Sequence, residues 1–172
     1  MDHFARAGDE LARAQDAGTL QRNFQGYSTH GGCDLIGLGM SAISHIGASY
    51  SQNAHDLPSY YAALDAGRLP VARGLELNDD DIIRADAIGL LMCQGRLDIA
   101  AFEARHNVDF QLYFDAELRR LRKLARDDLV EIAPESLQVT ARGRYLLRHI
   151  AMCFDAYLAR EATPAVRYSR AL

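Results

Sequence analysis

Apolar positions along this chain recur at helical spacing in some segments and lose that period in others. Leu11 and Ala14 share a helical face between Asp9, a capping residue, and Gly18, so the pattern predicts a short helix over 9–17. Residues 19–30 scatter Leu20, Phe24 and Tyr27 among polar groups with neither period and read as an ordered loop. Gly31-Gly32-Cys33-Asp34-Leu35-Ile36-Gly37-Leu38-Gly39-Met40-Ser41-Ala42-Ile43-Ser44 is an apolar run followed by small residues, which predicts a buried strand entering a glycine turn. A second helix is expected over 56–66, with Pro58 in its first turn, Leu57, Tyr61 and Leu64 on one side and Gly67 beyond it. Residues 68–74 then read as a connector and domain boundary.

Past the connector the helical period dominates. Asn78 caps a helix whose buried face is Ile83, Ala87, Leu90 and Leu91, ended by Gly95. A short helix over 100–106 leads to a long one over 110–126, marked by Phe110, Phe114, Leu118, Leu121 and Ala125. The period then falls to two on either side of Pro134-Glu135-Ser136, which predicts a β-hairpin from 129–133 and 137–140. Thr140 caps a final long helix with the stripe Leu147, Ile150, Phe154, Tyr157 and Leu158. Three helices, a hairpin and a helix define a mainly α fold with a small β-hairpin, in the order of a winged helix.

Composition narrows the function. At 172 residues with 49% hydrophobic and 24% charged positions, the chain suits one ordinary domain or a small domain with an appendage. Its net charge of −4 provides no cationic field for a polyanion. The bases of the 110–126 helix, Arg119, Arg120, Arg122, Lys123 and Arg126, cluster in its C-terminal half, where the helix dipole favours them. Asp109, Asp115 and Glu117 occupy the half that a groove-reading helix presents to bases, so nucleic acid is not the expected partner. No apolar stretch is long enough for a membrane span, and Met1-Asp2-His3-Phe4 lacks a basic leader, which predicts a soluble cytoplasmic protein with no membrane partner.

Candidate chemistry is sparse by spacing alone. Cys33, Cys93 and Cys153 are too dispersed for a local chelate and are expected as free buried thiols. Asp79, Asp80 and Asp81 diverge around a helix start instead of converging on an ion, and the six histidines form no chelating pair. Ser41, Ser44 and Ser49 have no nucleophile elbow around them. Gly37 and Gly39 permit close approach of the backbone, either to a ligand or to the protein itself.

Read as a string, the chain resembles the oxygen-independent coproporphyrinogen III oxidases, a radical S-adenosylmethionine (radical SAM) family. The resemblance rests on Met1-Asp2-His3-Phe4-Ala5, Asp9-Glu10-Leu11-Ala12, Arg22-Asn23-Phe24-Gln25-Gly26-Tyr27-Ser28-Thr29, the 34–44 segment and Phe154-Asp155-Ala156-Tyr157-Leu158, in that order. Tyr50-Ser51-Gln52-Asn53 and Thr140-Ala141-Arg142-Gly143-Arg144 add to it. The resemblance implies an oxidative decarboxylation converting two propionates of coproporphyrinogen III into the vinyls of protoporphyrinogen IX in anaerobic haem biosynthesis. In that family a [4Fe-4S] cluster on three close cysteines cleaves S-adenosylmethionine, and the radical so formed takes a propionate hydrogen.

No such cysteine spacing exists here, so the resemblance implies that the cluster-binding part belongs to a missing N-terminal barrel, the expected partner. It places residues 1–50 as the last strand and helix remnants of a truncated radical SAM (β/α)6 barrel. Residues 51–77 are then a linking helix and connector, and 78–172 a winged-helix-like domain. Carried over position by position, Phe24, Gln25 and Ile43 belong to an S-adenosylmethionine site, with Gly37 and Gly39 allowing close approach; no catalytic residue and no metal ligand is expected in this chain. Alone it is expected to be inactive and, through Leu35, Ile36 and Leu38, either to self-associate or to pack this segment onto the helical domain in a non-enzyme arrangement. The alternatives are a haem-chaperone relative of the same superfamily and a winged-helix nucleic-acid-binding or interaction module.

Overall fold

The computed structural model describes residues 5–160, which divide into two compact units, one ending at Ile83 and the other starting at Arg84. The first unit opens with α1 (Glu10–Asp16), whose N-cap Asp9 accepts the Leu11 N–H at 2.9 Å. A hairpin follows, β1 (Gln21–Asn23) and β2 (Gly26–Ser28), with Arg22 opposite Tyr27. This corrects the reading of 19–30 as a loop: strands of three residues are too short to display a period of two.

The main sheet of this unit is antiparallel, in the order β3 (Ile43–Ile46), β4 (Ser49–Asn53), β5 (Val71–Glu76). Between β4 and β5 lies α2 (Leu57–Asp65), capped by Asp56, which accepts the Ser59 N–H at 2.8 Å. Its Leu57, Tyr61 and Leu64 are exposed and only Ala63 is buried. β5 occupies most of the segment expected to be a connector. With β4 to pair against, it folds as a strand although its own sequence shows no alternation.

The buried strand expected before the glycine turn is absent. Regular pairing starts only at Ile43, and residues 35–41 run beside β3 held by one isolated bridge between Leu35 and His45. Gly39 at φ +102° and Ser41 at φ +57° take the segment out of extended conformation, so a continuous ladder cannot form. Its apolar side chains face outward, Ile36 being 68% and Leu38 88% exposed.

α3 (Asp79–Gln94) contains the unit boundary. Its start is a reciprocal cap: the Asp81 N–H donates to Asn78 Oδ1 at 2.9 Å and the Asn78 N–H to Asp81 Oδ2 at 3.1 Å. Then come β6 (Arg96–Asp98), α4 (Ile99–His106), α5 (Phe110–Tyr113), α6 (Asp115–Arg126), β7 (Val130–Ile132) and β8 (Ser136–Val139). The hairpin of β7 and β8 is as expected, but it gains β6 as a third strand, in the order β6-β8-β7. With three small sheets in all, the described residues are less purely helical than the pattern implied.

The two long helices are interrupted. The 110–126 helix breaks at Phe114, whose backbone leaves helical geometry while its ring stays in the core. After Thr140, whose hydroxyl accepts the Gly143 N–H at 2.9 Å, the chain makes a 3-10 turn (Gly143–Leu146), α7 (Leu147–Ala151), a second 3-10 turn (Met152–Phe154) and α8 (Ala156–Arg160). Phe102, Phe110, Phe114 and Phe154 form the fully buried centre of this unit, with ring centroids 5.0–6.0 Å apart along their contacts. Edge-to-face pairs of this kind add about 1 kcal/mol each beyond their buried area. Among them sits the carboxylate of Glu117, buried and accepting from Arg84 Nη1 at 3.1 Å and Arg120 Nη2 at 2.9 Å. Among the described residues no helix is long and apolar enough to cross a membrane.

Candidate functional site

The register of the first unit's main sheet decides what its faces carry. Directly opposed residues share a face, so Ile43, Gln52 and Arg73 form one row across β3, β4 and β5, and His45, Tyr50 and Leu75 form the next. His45 stacks on Tyr50 with ring centroids 4.3 Å apart. The tip of the β1–β2 hairpin reaches the same face. Asn23 Oδ1 accepts the Gln25 N–H at 2.8 Å, closing a two-residue turn whose first residue, Phe24, sets its ring edge-on to Tyr50 at 5.2 Å. Burial pushes the Tyr50 phenol above its ordinary pKa.

Of the residues singled out from the sequence, Phe24 and Ile43 therefore lie on one sheet face, Phe24 against Tyr50 and Ile43 in the adjoining row. Gln25 is exposed at the hairpin tip and makes its contact through the backbone. Gly37 and Gly39 lie in the pinned edge segment. A Cβ on Gly37 would stand 2.6 Å from the Ile43 carbonyl oxygen, so the protein's own backbone uses that close approach. Gly39 is needed for its positive φ, with open space around it.

Side chains of the sheet replace a ladder along this edge. The Ser44 hydroxyl accepts the Gly37 N–H at 3.0 Å, and Asn53 Nδ2 donates to the carbonyls of Gly37 at 3.3 Å and Gly39 at 2.8 Å. Gln52 Nε2 donates to the Ser41 carbonyl at 3.0 Å, which turns Oε1 toward Arg73; Nε and Nη2 of Arg73 reach it at 2.8 and 2.5 Å. Tyr50, His45, Gln52 and Arg73 were not picked out as site residues. The signal that could have found them is the alternation Tyr50, Gln52 within the quoted Tyr50-Ser51-Gln52-Asn53 string.

A cleft of about 270 Å³ lies in the same unit, lined in part by Arg22, His30, Cys33, Asp34 and His45. Cys33 is exposed and Cys153 half-buried, which corrects the expectation of three buried thiols; only Cys93 is buried. Among the described residues no three His, Cys, Asp or Glu side chains come together as a ligand set for a metal ion. In the second unit a larger, open hollow of about 570 Å³ between α6 and β7 mixes Arg122 and Arg126 with Asp128 and Glu131.

Comparison with known proteins adds to this geometry. The family model described as HemN C-terminal domain matches residues 77–146. The oxygen-independent coproporphyrinogen III oxidase of Salmonella typhimurium is 51% identical over 94% of this chain, and that of Pseudomonas aeruginosa 49% identical over 92%. The chain spans only 35% and 34% of their lengths. Among solved structures, coproporphyrinogen III oxidase (HemN) from Escherichia coli, reported as a radical SAM enzyme, matches with a TM-score of 0.89 and 50% identity, over 91% of this chain and 36% of that one. The chain thus matches the C-terminal portion of the oxygen-independent coproporphyrinogen III oxidases, a solved member of which is reported as a radical SAM enzyme.

Proposed function

We propose that this chain serves as the C-terminal part of an enzyme that oxidatively decarboxylates coproporphyrinogen III to protoporphyrinogen IX. The observation that carries the reading is half-identity at TM-score 0.89 to a structure described as that oxidase. Residues 5–50 are read as closing elements of the (β/α)6 barrel and 78–160 as the winged-helix-like domain, while the segment between them carries α2 and supplies β5 to the first unit's sheet. The order α3, β6, α4, α5, α6, β7, β8 supports the winged-helix assignment, being helix, strand, helix, a helix broken at Phe114, and a two-stranded wing. This domain is a cover or interaction module and not a reader of DNA. Arg120 pairs with Glu117 and Arg119 with Asp115, and the hollow beside Arg122 and Arg126 also holds Asp128 and Glu131, so the cations of α6 are interspersed with carboxylates.

The residues of the first unit fit S-adenosylmethionine. Phe24, 54% exposed beside Tyr50, and Ile43 present aromatic and apolar surface for adenine or a thioether, and Gln25 offers an amide donor and acceptor at the rim. S-adenosylmethionine and a [4Fe-4S] cluster supply the radical oxidation in the assembled enzyme. This chain's part is to bind, orient and exclude water, and its dispersed cysteines form no ligand set for the cluster among the described residues.

The test is a chimera joining the N-terminal two thirds of the Salmonella typhimurium relative to this chain, reconstituted anaerobically. Conversion of coproporphyrinogen III by the chimera, with none by the 172-residue chain alone, is the expected result. Phe24→Ala in the chimera should weaken S-adenosylmethionine binding roughly tenfold, the scale of one lost aromatic stacking contact. A chimera that binds its cluster and leaves the porphyrinogen untouched would refute the reading.

A further inference from the structure

Arg73 stands out on the sheet face because no carboxylate lies within ion-pair distance of it among the described residues; its recorded partner is the neutral amide of Gln52. That amide is itself fixed, since Gln52 Nε2 is bonded to the carbonyl of Ser41, a residue held at φ +57°. Gln52 occupies Nε and one hydrogen of Nη2. The guanidinium keeps three N–H donors, including the parallel pair across Nη1 and Nη2 that matches the two oxygens of a carboxylate. In the adjoining row Tyr50 has no hydrogen-bond partner for its phenol among the described residues. Around it lie His45, Phe24 and Leu75, with Ile43 beside Gln52. From β3 to β5 the face is about 10 Å wide. It carries aromatic and apolar side chains with one uncompensated, pre-oriented cation at its side.

We infer that Arg73, oriented by Gln52, clamps a propionate carboxylate of a tetrapyrrole packed against the His45–Tyr50–Leu75 row. This rests on the reading of the chain as part of a coproporphyrinogen oxidase and adds a contact between the substrate and this sheet. The match is one of charge and polarity: a large apolar macrocycle with carboxylates on its rim needs both an apolar contact surface and a fixed cation. Arg73 binds without taking part in bond breaking, and Gln52 is a positioning residue.

The experiment titrates the 172-residue chain with coproporphyrin III, a stable tetracarboxylate, and with its tetramethyl ester in the same micellar buffer, followed by porphyrin fluorescence. The acid is expected to bind at least about tenfold more tightly than the ester, the scale of a charge-assisted hydrogen-bonded pair. Arg73→Met should remove that preference, Arg73→Lys should retain part of it and Gln52→Leu should weaken it, with circular dichroism confirming that each variant folds. Equal binding of acid and ester, no binding of either, or an Arg73→Met variant with its preference intact would each overturn the clamp. So would loss of S-adenosylmethionine binding in Arg73→Met with porphyrin binding unchanged, because the carboxylate held would then be the methionine's. In the chimera, Arg73→Met should raise KM roughly tenfold and leave kcat nearly unchanged. Turnover with an unaltered KM refutes the clamp alone. An unsubstituted chimera that binds its cluster without turnover refutes the parent reading, and the porphyrin titration still decides the clamp.

Discussion

A β-carbon at Gly143 would lie 1.8 Å from the Leu129 carbonyl oxygen, an approach that backbone on both sides makes impossible to relieve cheaply. Gly143→Ala should therefore destabilise the second unit by about 3 kcal/mol or more. Gly89→Ala, where nothing lies within 4 Å inside α3, should stabilise it by about 0.5–1 kcal/mol, and urea midpoints of the two variants separate the cases. Glu117→Gln should cost about 3 kcal/mol in the same assay, because Arg84 and Arg120 lose the buried charge that they share. Thiol alkylation followed by mass spectrometry should run in the order Cys33, Cys153, Cys93: the first is exposed, burial raises the pKa of the second, and the third is buried. At this scale the sequence was informative wherever a residue acts on its own neighbours. The caps Asp9 and Asn78 stand where their patterns put them, whereas Arg73 meets Gln52 only through strand register, which no local pattern contains.

Elements divide by the same logic. α3 was legible because cap, apolar face and stop all agree; α2 and α4 were found in extent, although the apolar side expected for α2 is exposed; and the β7–β8 hairpin was legible because its alternation is clean. β1, β2, β5 and β6 were not, since three of them are only three residues long and all depend on partners for their pairing. The breaks at Phe114 and Asp155 escaped because the apolar period continues through them while the backbone does not. α2 offers a pH test. The Ser59 backbone N–H, with help from its hydroxyl, holds the Asp56 carboxylate below its ordinary pKa. A lowered folded pKa means that the cap's charged contribution is present above the ordinary aspartate range and is lost as pH falls through the lowered value. Asp56→Asn keeps an acceptor for Ser59 and removes the titrating group. Amide shifts at Ser59, followed by NMR from about pH 5 to about pH 2, should move in the parent and stay flat in the variant.

At the scale of the whole molecule, the relatives are about three times as long as this chain, and the first unit exposes Ile36 and Leu38 on an unpaired edge. Light scattering of the chain alone should show self-association that Ile36→Lys with Leu38→Lys reduces, and the chimera with a relative's N-terminal two thirds should show less of it. The edge segment has one more consequence, in isotope exchange. The N–H groups of Leu35, Gly37 and Ser41 are taken by His45, the Ser44 hydroxyl and Ala54, while those of Ile36, Leu38, Gly39 and Met40 meet no acceptor among the described residues. Deuterium uptake should therefore alternate slow and fast over 35–38, run fast at 39 and 40 and slow again at 41, although the segment belongs to no sheet. The fast amides at Ile36 and Leu38 mark the donors still free to pair with another chain.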